Sequence, residues 1–135
     1  MAKWAHSDLL DNGPQGAIVT PAATANRIVE HVIKAYASGD SYATVTGNSI
    51  GNVSLAAGDV PLSGGAGSAR TMTVAAKSGV TASASSGATP NLHFAIVDST
   101  SSKVLLVTDE TSDQVVTSGN TINLPSWTYV SGQPT

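Results

Sequence analysis

Apolar and polar side chains alternate in short runs through the second half of the chain, and polar segments separate the runs. In residues 92–97, the large apolar side chains of Leu92, Phe94 and Ile96 occupy every second position. A second apolar run, residues 103–108, follows the polar pentapeptide 98–102. Two such runs around a short polar segment predict a β-hairpin.

The same pattern predicts further strands on both sides of this hairpin. Residues 70–76 place Met72, Val74 and Ala76 on one face of a strand. Residues 114–117 and 121–124, joined by a Ser-Gly-Asn turn, predict a second hairpin, and residues 127–130 predict a last strand after Pro125. Short strands at short intervals favour an all-β, single-domain β-sandwich or jelly roll over a doubly wound sheet.

Residues 22–36 fit two structures. Ile28, Val29, Val32 and Ile33 have helical spacing, and Thr20-Pro21 could start a helix. Residues 27–36 also fit a central strand whose β-branched side chains face both ways. We favour the strand because the rest of the chain is predicted to be β, and the helix stays open as the alternative.

The first residues of the chain hold apolar side chains ahead of the predicted core. Trp4, Leu9 and Leu10 precede a turn signal at residues 12–14. We therefore predict an extended N-terminal arm, residues 1–14, and a β-sandwich domain, residues 15–135. Exposure of these three side chains in a free chain is unfavourable, so they are the candidate contacts with a partner. The alternative is that the arm folds back and closes the protein's own barrel.

Composition excludes several classes of function. The chain of 135 residues has no cysteine, so disulfides and thiolate metal sites are excluded. With 11% charged residues and a net charge of −3 there is no basic surface for nucleic acid. Apolar runs such as residues 104–107 are far shorter than the roughly 20 residues of a membrane span. The low charge fits either a surface that a partner covers or small polar residues that solvate long loops, such as the Ala, Ser and Gly of residues 63–69 and 81–88.

Candidate chemistry along the chain is weak. Residues 47–51 match the G-x-S-x-G pattern of a nucleophile elbow around Ser49, but no helix is predicted after them. The glycines of residues 64–67 lack the helix that a phosphate loop requires. His6, His31 and His93 are far apart and lack metal-ligand spacing. We predict no enzyme, no catalytic residue, no cofactor and no metal site.

Five segments in order resemble the capsid cement, or decoration, proteins of short-tailed and related bacteriophages. They are residues 2–13 (AKWAHSDLLDNG), 36–45 (YASGDSYATV), 68–79 (SARTMTVAAKSG), 93–109 (HFAIVDSTSSKVLLVTD) and 116–130 (VTSGNTINLPSWTYV). In that family the second segment corresponds to a strand and turn, and the last two to closing hairpins. Residues 15–25 depart from the family's opening because they are richer in Pro and Ala.

The resemblance implies a structural virion protein on the outside of the phage head. Such a protein has a jelly-roll or similar β-sandwich, assembles as a homo-oligomer (a dimer or trimer) and bridges neighbouring subunits of the major capsid protein. It is made in the host bacterial cytoplasm, and neither nucleic acid nor membrane is a partner. Trp4 is the first candidate anchor on the capsid, and Trp127 is either a second anchor or part of the core. The alternative function is a phage tail or fibre module that binds a host receptor.

Overall fold

Antiparallel strands dominate the protein. The computed structural model describes residues 4–5, 13–63, 70–110 and 113–131. Strands make up 41% and helices 17%, which is well below the roughly one third of helix in an average globular domain. The prediction of a mostly β domain is confirmed, and jelly-roll connectivity stays a prediction.

The main sheet has five antiparallel strands in the order β1-β8-β7-β2-β3. Its members are β1 (Trp4–Ala5), β2 (Ile28–Ile33), β3 (Ser49–Ser54), β7 (His93–Asp98) and β8 (Lys103–Asp109). β7 and β8 form the hairpin that the alternation predicts, with one irregularity in register between Ile96 and Val97. This hairpin is therefore confirmed.

The ambiguous segment forms the strand β2, and the helical interpretation is wrong. β2 pairs with β3 on one side and with β7 on the other, so it is central. Both of its faces are covered, which explains why apolar residues occupy both. Pro21 instead lies in the first turn of a short helix, Thr20–Ala22, which continues a π-helical turn at Gln15–Val19 that was not predicted.

A second layer is built from β4 (Leu62–Ser63), β5 (Arg70–Val74), β6 (Lys77–Thr81), β9 (Thr121–Leu124) and β10 (Trp127–Ser131). β10 pairs with β5, and β9 pairs with β6. Trp127 lies opposite Val74, and Leu124 lies opposite Lys77. The pairing of β9 with β6 therefore continues, at this end, the register in which β10 pairs with β5. β5 with β6 and β9 with β10 thus form one antiparallel ribbon that is broken in the middle.

Pro125 lies at this break in the ribbon. Proline has no N–H to donate to the ladder, so pairing stops on either side of it. The Ser126 hydroxyl donates to the Val74 carbonyl over 2.8 Å and replaces part of the missing pairing. We call residues 75–76 and 125–126 the kink of the ribbon.

The predicted hairpin of residues 114–117 with residues 121–124 is wrong. A turn does form there, since the Asn120 N–H donates to the Thr117 carbonyl. The residues before the turn are not a strand, because Val116 exchanges hydrogen bonds with Ser86 instead. β9 pairs with β6, and β10 joins a different sheet, so the last two strands do not form a closing hairpin with each other.

Apolar side chains on the inner face of the main sheet meet the ribbon in two clusters. The cluster beside β5 and β10 includes Ile28, Met72 and Ile96, and the cluster beside β6 and β9 includes Val32 and Phe94. A third cluster lies on the outer face, where the helix Tyr42–Gly47 covers the sheet. This helix begins inside residues 36–45, the segment for which the family resemblance implies a strand and a turn.

Residues 81–88, one of the two segments of small residues, contribute little to these clusters. Residues 64–69 lie outside the described part of the chain. Within residues 81–88, Ala82 and Ser86 are buried and the others are exposed or half-buried. The expectation of a solvated loop therefore holds for most of residues 81–88, apart from these two side chains.

Candidate functional site

Of the three candidate partner contacts, Trp4 lies in the N-terminal strand β1. Trp4 pairs with Val107, and Ala5 pairs with Leu106, so β1 extends the main sheet at the edge of β8. Leu9 and Leu10 fall outside the described residues. The backbone of residues 4–5 therefore lies on the protein's own sheet, and contact of these side chains with a partner stays a prediction.

A buried carboxylate lies between the main sheet and the kink of the ribbon. Glu30 is on β2 with 0% of its surface exposed, between the two inner clusters. The indole Nε1 of Trp127 donates to its Oε1 over 2.8 Å. Among the described residues no donor reaches its Oε2. Within this part of the chain, Glu30 thus has one oxygen with a donor and one without.

Burial dominates the electrostatics of this carboxylate. Loss of solvent raises the pKa of Glu30 to about 7, although the hydrogen bond from Trp127 and the charge of Lys77 oppose the shift. Lys77 does not pair with Glu30 directly, because its ammonium binds Asp59 over 2.8 Å. That contact holds the pKa of Asp59 below its ordinary value. The protonated and charged forms of Glu30 are therefore both populated near neutral pH.

This arrangement is suited to joining two layers rather than to catalysis. A general acid must reach the proton acceptor of its substrate, and Glu30 is closed off from solvent. Trp127 is half-buried and packs against both inner clusters, so the hydrogen bond ties β2 to the ribbon where the clusters meet. Of the two roles left open for Trp127, packing in the core is the observed one.

Glu30 is not among the candidate residues predicted from the sequence. Its signal was a charged residue inside the apolar run of residues 28–33. A glutamate in a strand buried on both faces requires a hydrogen-bond partner. The pairing itself required the tertiary structure.

Two histidines lie together on the outer face of the main sheet. Ile33 pairs with His93 and His31 pairs with Ala95, so the two imidazoles share one face of adjacent strands. His93 contacts the Asn91 carbonyl through Nδ1 at 3.0 Å and has Nε2 3.5 Å from an Asp109 oxygen. The described residues contain no group of three possible metal ligands, and His6 lies outside them.

Ser49 does not have the geometry of a nucleophile elbow. It begins the strand β3, and strand rather than helix follows it. Its hydroxyl lies 2.9 Å from Nδ1 of His31 and donates to the Gly51 carbonyl at 3.2 Å. Burial lowers the pKa of His31, which favours the neutral imidazole. The contact fastens β2 to β3.

Gly51, the last residue of the same pattern, has a packing role. A Cβ at this position would lie 3.1 Å from Cδ1 of Ile122 on the ribbon. Glycine therefore allows β3 to approach β9 closely. The glycines of residues 64–67 are outside the described part of the chain.

An open cleft of about 280 Å³ lies beside β9. Its apolar side is formed by core residues that include Val32, Leu92 and Phe94, and its polar rim includes Gln114 and Asn123. Such a cleft has room for a small apolar group, but it holds no converging set of catalytic side chains among the described residues.

The comparisons with known proteins add no relative. No family model, curated protein or solved structure matches the chain. Within the described residues, no helix has the length and apolar character needed to cross a membrane.

Proposed function

We propose that this protein is a capsid cement, or decoration, protein of a bacteriophage. It binds the outside of the assembled head and stabilises contacts between subunits of the major capsid protein. Its location is the surface of the virion, after synthesis in the cytoplasm of the host bacterium. The proposal is supported by the five segments that resemble this family and by the mostly β domain that the resemblance implies.

The observation that carries the proposal is the attachment of the N-terminal arm. β1 pairs with two residues of the seven-residue strand β8, at an edge of the main sheet. A strand of two residues gains few hydrogen bonds for the entropy lost on ordering it. The arm can therefore exchange this contact for one with the capsid at small cost, and its Trp4, Leu9 and Leu10 supply apolar surface for that contact.

The low charge of the chain is consistent with a covered surface. A protein that binds the assembled lattice, and not the dissociated subunits, stabilises the lattice by RT ln(1 + [L]/Kd) at each site. Because a head offers many equivalent sites, modest affinity at each one is sufficient. No catalytic group is required for this role.

Co-sedimentation with capsids tests the proposal. The full chain is mixed with purified empty, expanded heads of the phage that encodes it, and in parallel with unassembled major capsid protein, and each mixture is run through a density gradient. We expect the protein to travel with the heads and to raise the temperature at which they disassemble.

Two results would contradict the proposal. The first is absence of the protein from the head fraction together with an unchanged disassembly temperature. The second is binding of the labelled protein to host bacterial cells in place of heads, which would support the tail or fibre alternative.

A further inference from the structure

In the described part of the chain, the strand β10 has an open edge. On one side β10 pairs with β5 through five consecutive residue pairs, from Trp127 opposite Val74 to Ser131 opposite Arg70, with no irregularity in register. On its other side no described strand is present. Within the described residues, Thr128, Tyr129 and Val130 make no further backbone hydrogen bond. A regular row of N–H and C=O groups therefore faces outward.

The other outer strands of the described sheets are covered, short or irregular. β1 covers part of the edge of β8, and the outer edge of β3 receives the Ser83 N–H at the Ile50 carbonyl over 2.8 Å. β4 has two residues and directly follows Pro61. The pairing of β6 with β9 contains a register shift next to Gly79. These are devices by which proteins prevent strands from pairing across molecules.

β10 has none of these devices. Its sequence, WTYVS, is β-branched or aromatic at four of five positions and contains no proline, glycine or charge. Trp127 and Tyr129 face the core and are half-buried, whereas Thr128 and Val130 are exposed, with 54% of the Val130 surface accessible. The edge has the features of a strand that pairs with another strand.

We propose that the open edge of β10 pairs antiparallel with β10 of a second copy of this chain. The pairing joins the two three-stranded sheets into one sheet of order β4-β5-β10-β10-β5-β4. A two-fold axis passes beside Tyr129, which lies opposite Tyr129 of the second copy. In this register Thr128 lies opposite Val130 of the second copy, and all five residues of each strand take part.

A second copy suits this edge because the strand is compatible with itself. Two-fold pairing places each strand against an identical strand, so a charged edge would repel its own copy. β10 carries no charge, and its small hydroxyl and β-branched side chains form favourable cross-strand pairs. The half-exposed rings of Tyr129 would also cover each other across the axis.

This inference does not depend on capsid binding. A chain that binds no heads can still dimerise through β10, and a monomeric chain can still bind heads through its arm. The experiments on the isolated protein therefore separate failure of one proposal from failure of the other.

Disulfide crosslinking tests the register, since the chain has no cysteine of its own. The double variant Thr128→Cys with Val130→Cys places two pairs of thiols opposite each other across the axis. Directly opposed residues have Cα atoms about 4.5–5.5 Å apart, within the range that a disulfide spans. We expect a covalent dimer on mild oxidation of the folded protein, reversed by a reducing agent.

Two control variants share the same face of the sheet. Thr71→Cys with Thr73→Cys moves both thiols one strand inward, since these residues pair with Val130 and Thr128 within the chain. Thr128→Cys alone faces Val130 of the second copy, and its own counterpart lies diagonally at about 7–8 Å, too far for a disulfide. Both controls are expected to remain monomeric on a non-reducing gel.

Sedimentation velocity of the cysteine-free protein provides the second measurement. We expect a monomer–dimer equilibrium that Thr128→Lys with Val130→Lys shifts to monomer, because each new lysine then faces another. Ser63→Lys, on the exposed face of β4, should leave the equilibrium unchanged, and circular dichroism should show all variants folded. A monomer at every concentration, or a dimer that the double lysine variant leaves intact, would overturn the proposal.

Discussion

The indole of Trp127 donates a hydrogen bond to the carboxylate of Glu30 over 2.8 Å, between residues 97 positions apart in the chain. The contact joins the central strand of the main sheet to the ribbon beside its kink. Trp127 also packs against both inner clusters. The bond therefore couples the position of the ribbon to the most buried charged group among the described residues.

Replacing Trp127 by phenylalanine should destabilise the protein. The variant keeps an aromatic ring but leaves both carboxylate oxygens of Glu30 without a donor among the described residues. Loss of a hydrogen bond to a buried charged group costs about 1.5–3 kcal/mol in the free energy of unfolding. Denaturant titration at pH 8 measures it, with Tyr129→Phe as the aromatic control. An equal loss in both variants would contradict the role of the bond.

Glu30 should make stability depend on pH. Its pKa is about 7 in the folded protein and about 4.5 in the unfolded chain. Between these values the folded state keeps a proton that the unfolded state has released, so stability falls as pH rises from about 4.5 to 7 and is level above. This pKa shift corresponds to a change of about 3 kcal/mol in the free energy of unfolding.

The variant Glu30→Gln isolates this effect. It cannot titrate, so the difference in unfolding free energy between the variant and the natural chain should grow in favour of the variant from pH 4.5 to 7. The comparison is needed because the lowered pKa of His31 acts in the opposite direction, raising stability as pH approaches 6.5. If the free energies of unfolding of the two proteins changed with pH in parallel, Glu30 would not be the source of the pH dependence.

Asp98 should stabilise the start of β2 and the turn between β7 and β8. Its two carboxylate oxygens share the Nε–H of Arg27, and one of them also accepts from Nη2. The carboxylate accepts the N–H groups of Thr100 and Ser101 as well. Burial pushes the pKa of Asp98 upward, but these donors outweigh burial and hold the pKa below its ordinary value.

Asp98→Ala removes all of these acceptors at once and should lower the melting temperature. The control is Asp40→Ala, whose carboxylate accepts the single N–H of Ala37 at an exposed turn. Because the pKa of Asp98 is lowered in the folded state, its carboxylate should contribute fully to stability above about pH 4. This contribution to stability should disappear as the pH falls further. A loss in the variant that persists unchanged at pH 2 would contradict this assignment.

Gly51→Val should destabilise the packing of β3 on the ribbon. The first side-chain carbon would already lie 3.1 Å from Cδ1 of Ile122, and the valine methyl groups require more room. Overpacking of this kind costs about 1–3 kcal/mol. Gly58→Val is the control, since a Cβ there meets nothing within 4 Å. Thermal unfolding of the two variants compares them, and equal melting temperatures would rule out the close approach.

Trp4→Ala should weaken binding to assembled heads. If the arm contacts the capsid, loss of one large apolar side chain lowers the fraction that co-sediments, while the melting temperature of the isolated protein changes little. Val115→Ala, at a side chain with 65% of its surface exposed, is the control for loss of an apolar group. A melting temperature reduced as strongly as head binding would instead indicate that the arm belongs to the protein's own sheet.

The elements that depend on neighbouring residues were predictable from the sequence. Alternation of apolar and polar residues determined β7, β8, β5 and β10, and the short polar segment between β7 and β8 determined that they pair. A signal for the helix Tyr42–Gly47 was also present, since Ser41 accepts the Thr44 N–H as its N-cap. These features arise from side-chain periodicity and local hydrogen bonds, which act within a few residues.

Only the tertiary structure decided which distant segments meet. The turn at residues 118–120 formed as predicted, yet β9 pairs with β6 because strand pairing is chosen by packing across the whole domain. Periodicity allowed either helix or strand at β2, and strands on both of its sides decided it. A glutamate among apolar residues shows no sign in the sequence of what it will meet. Its burial, its bond to Trp127 and its raised pKa follow from closure of the ribbon over the main sheet.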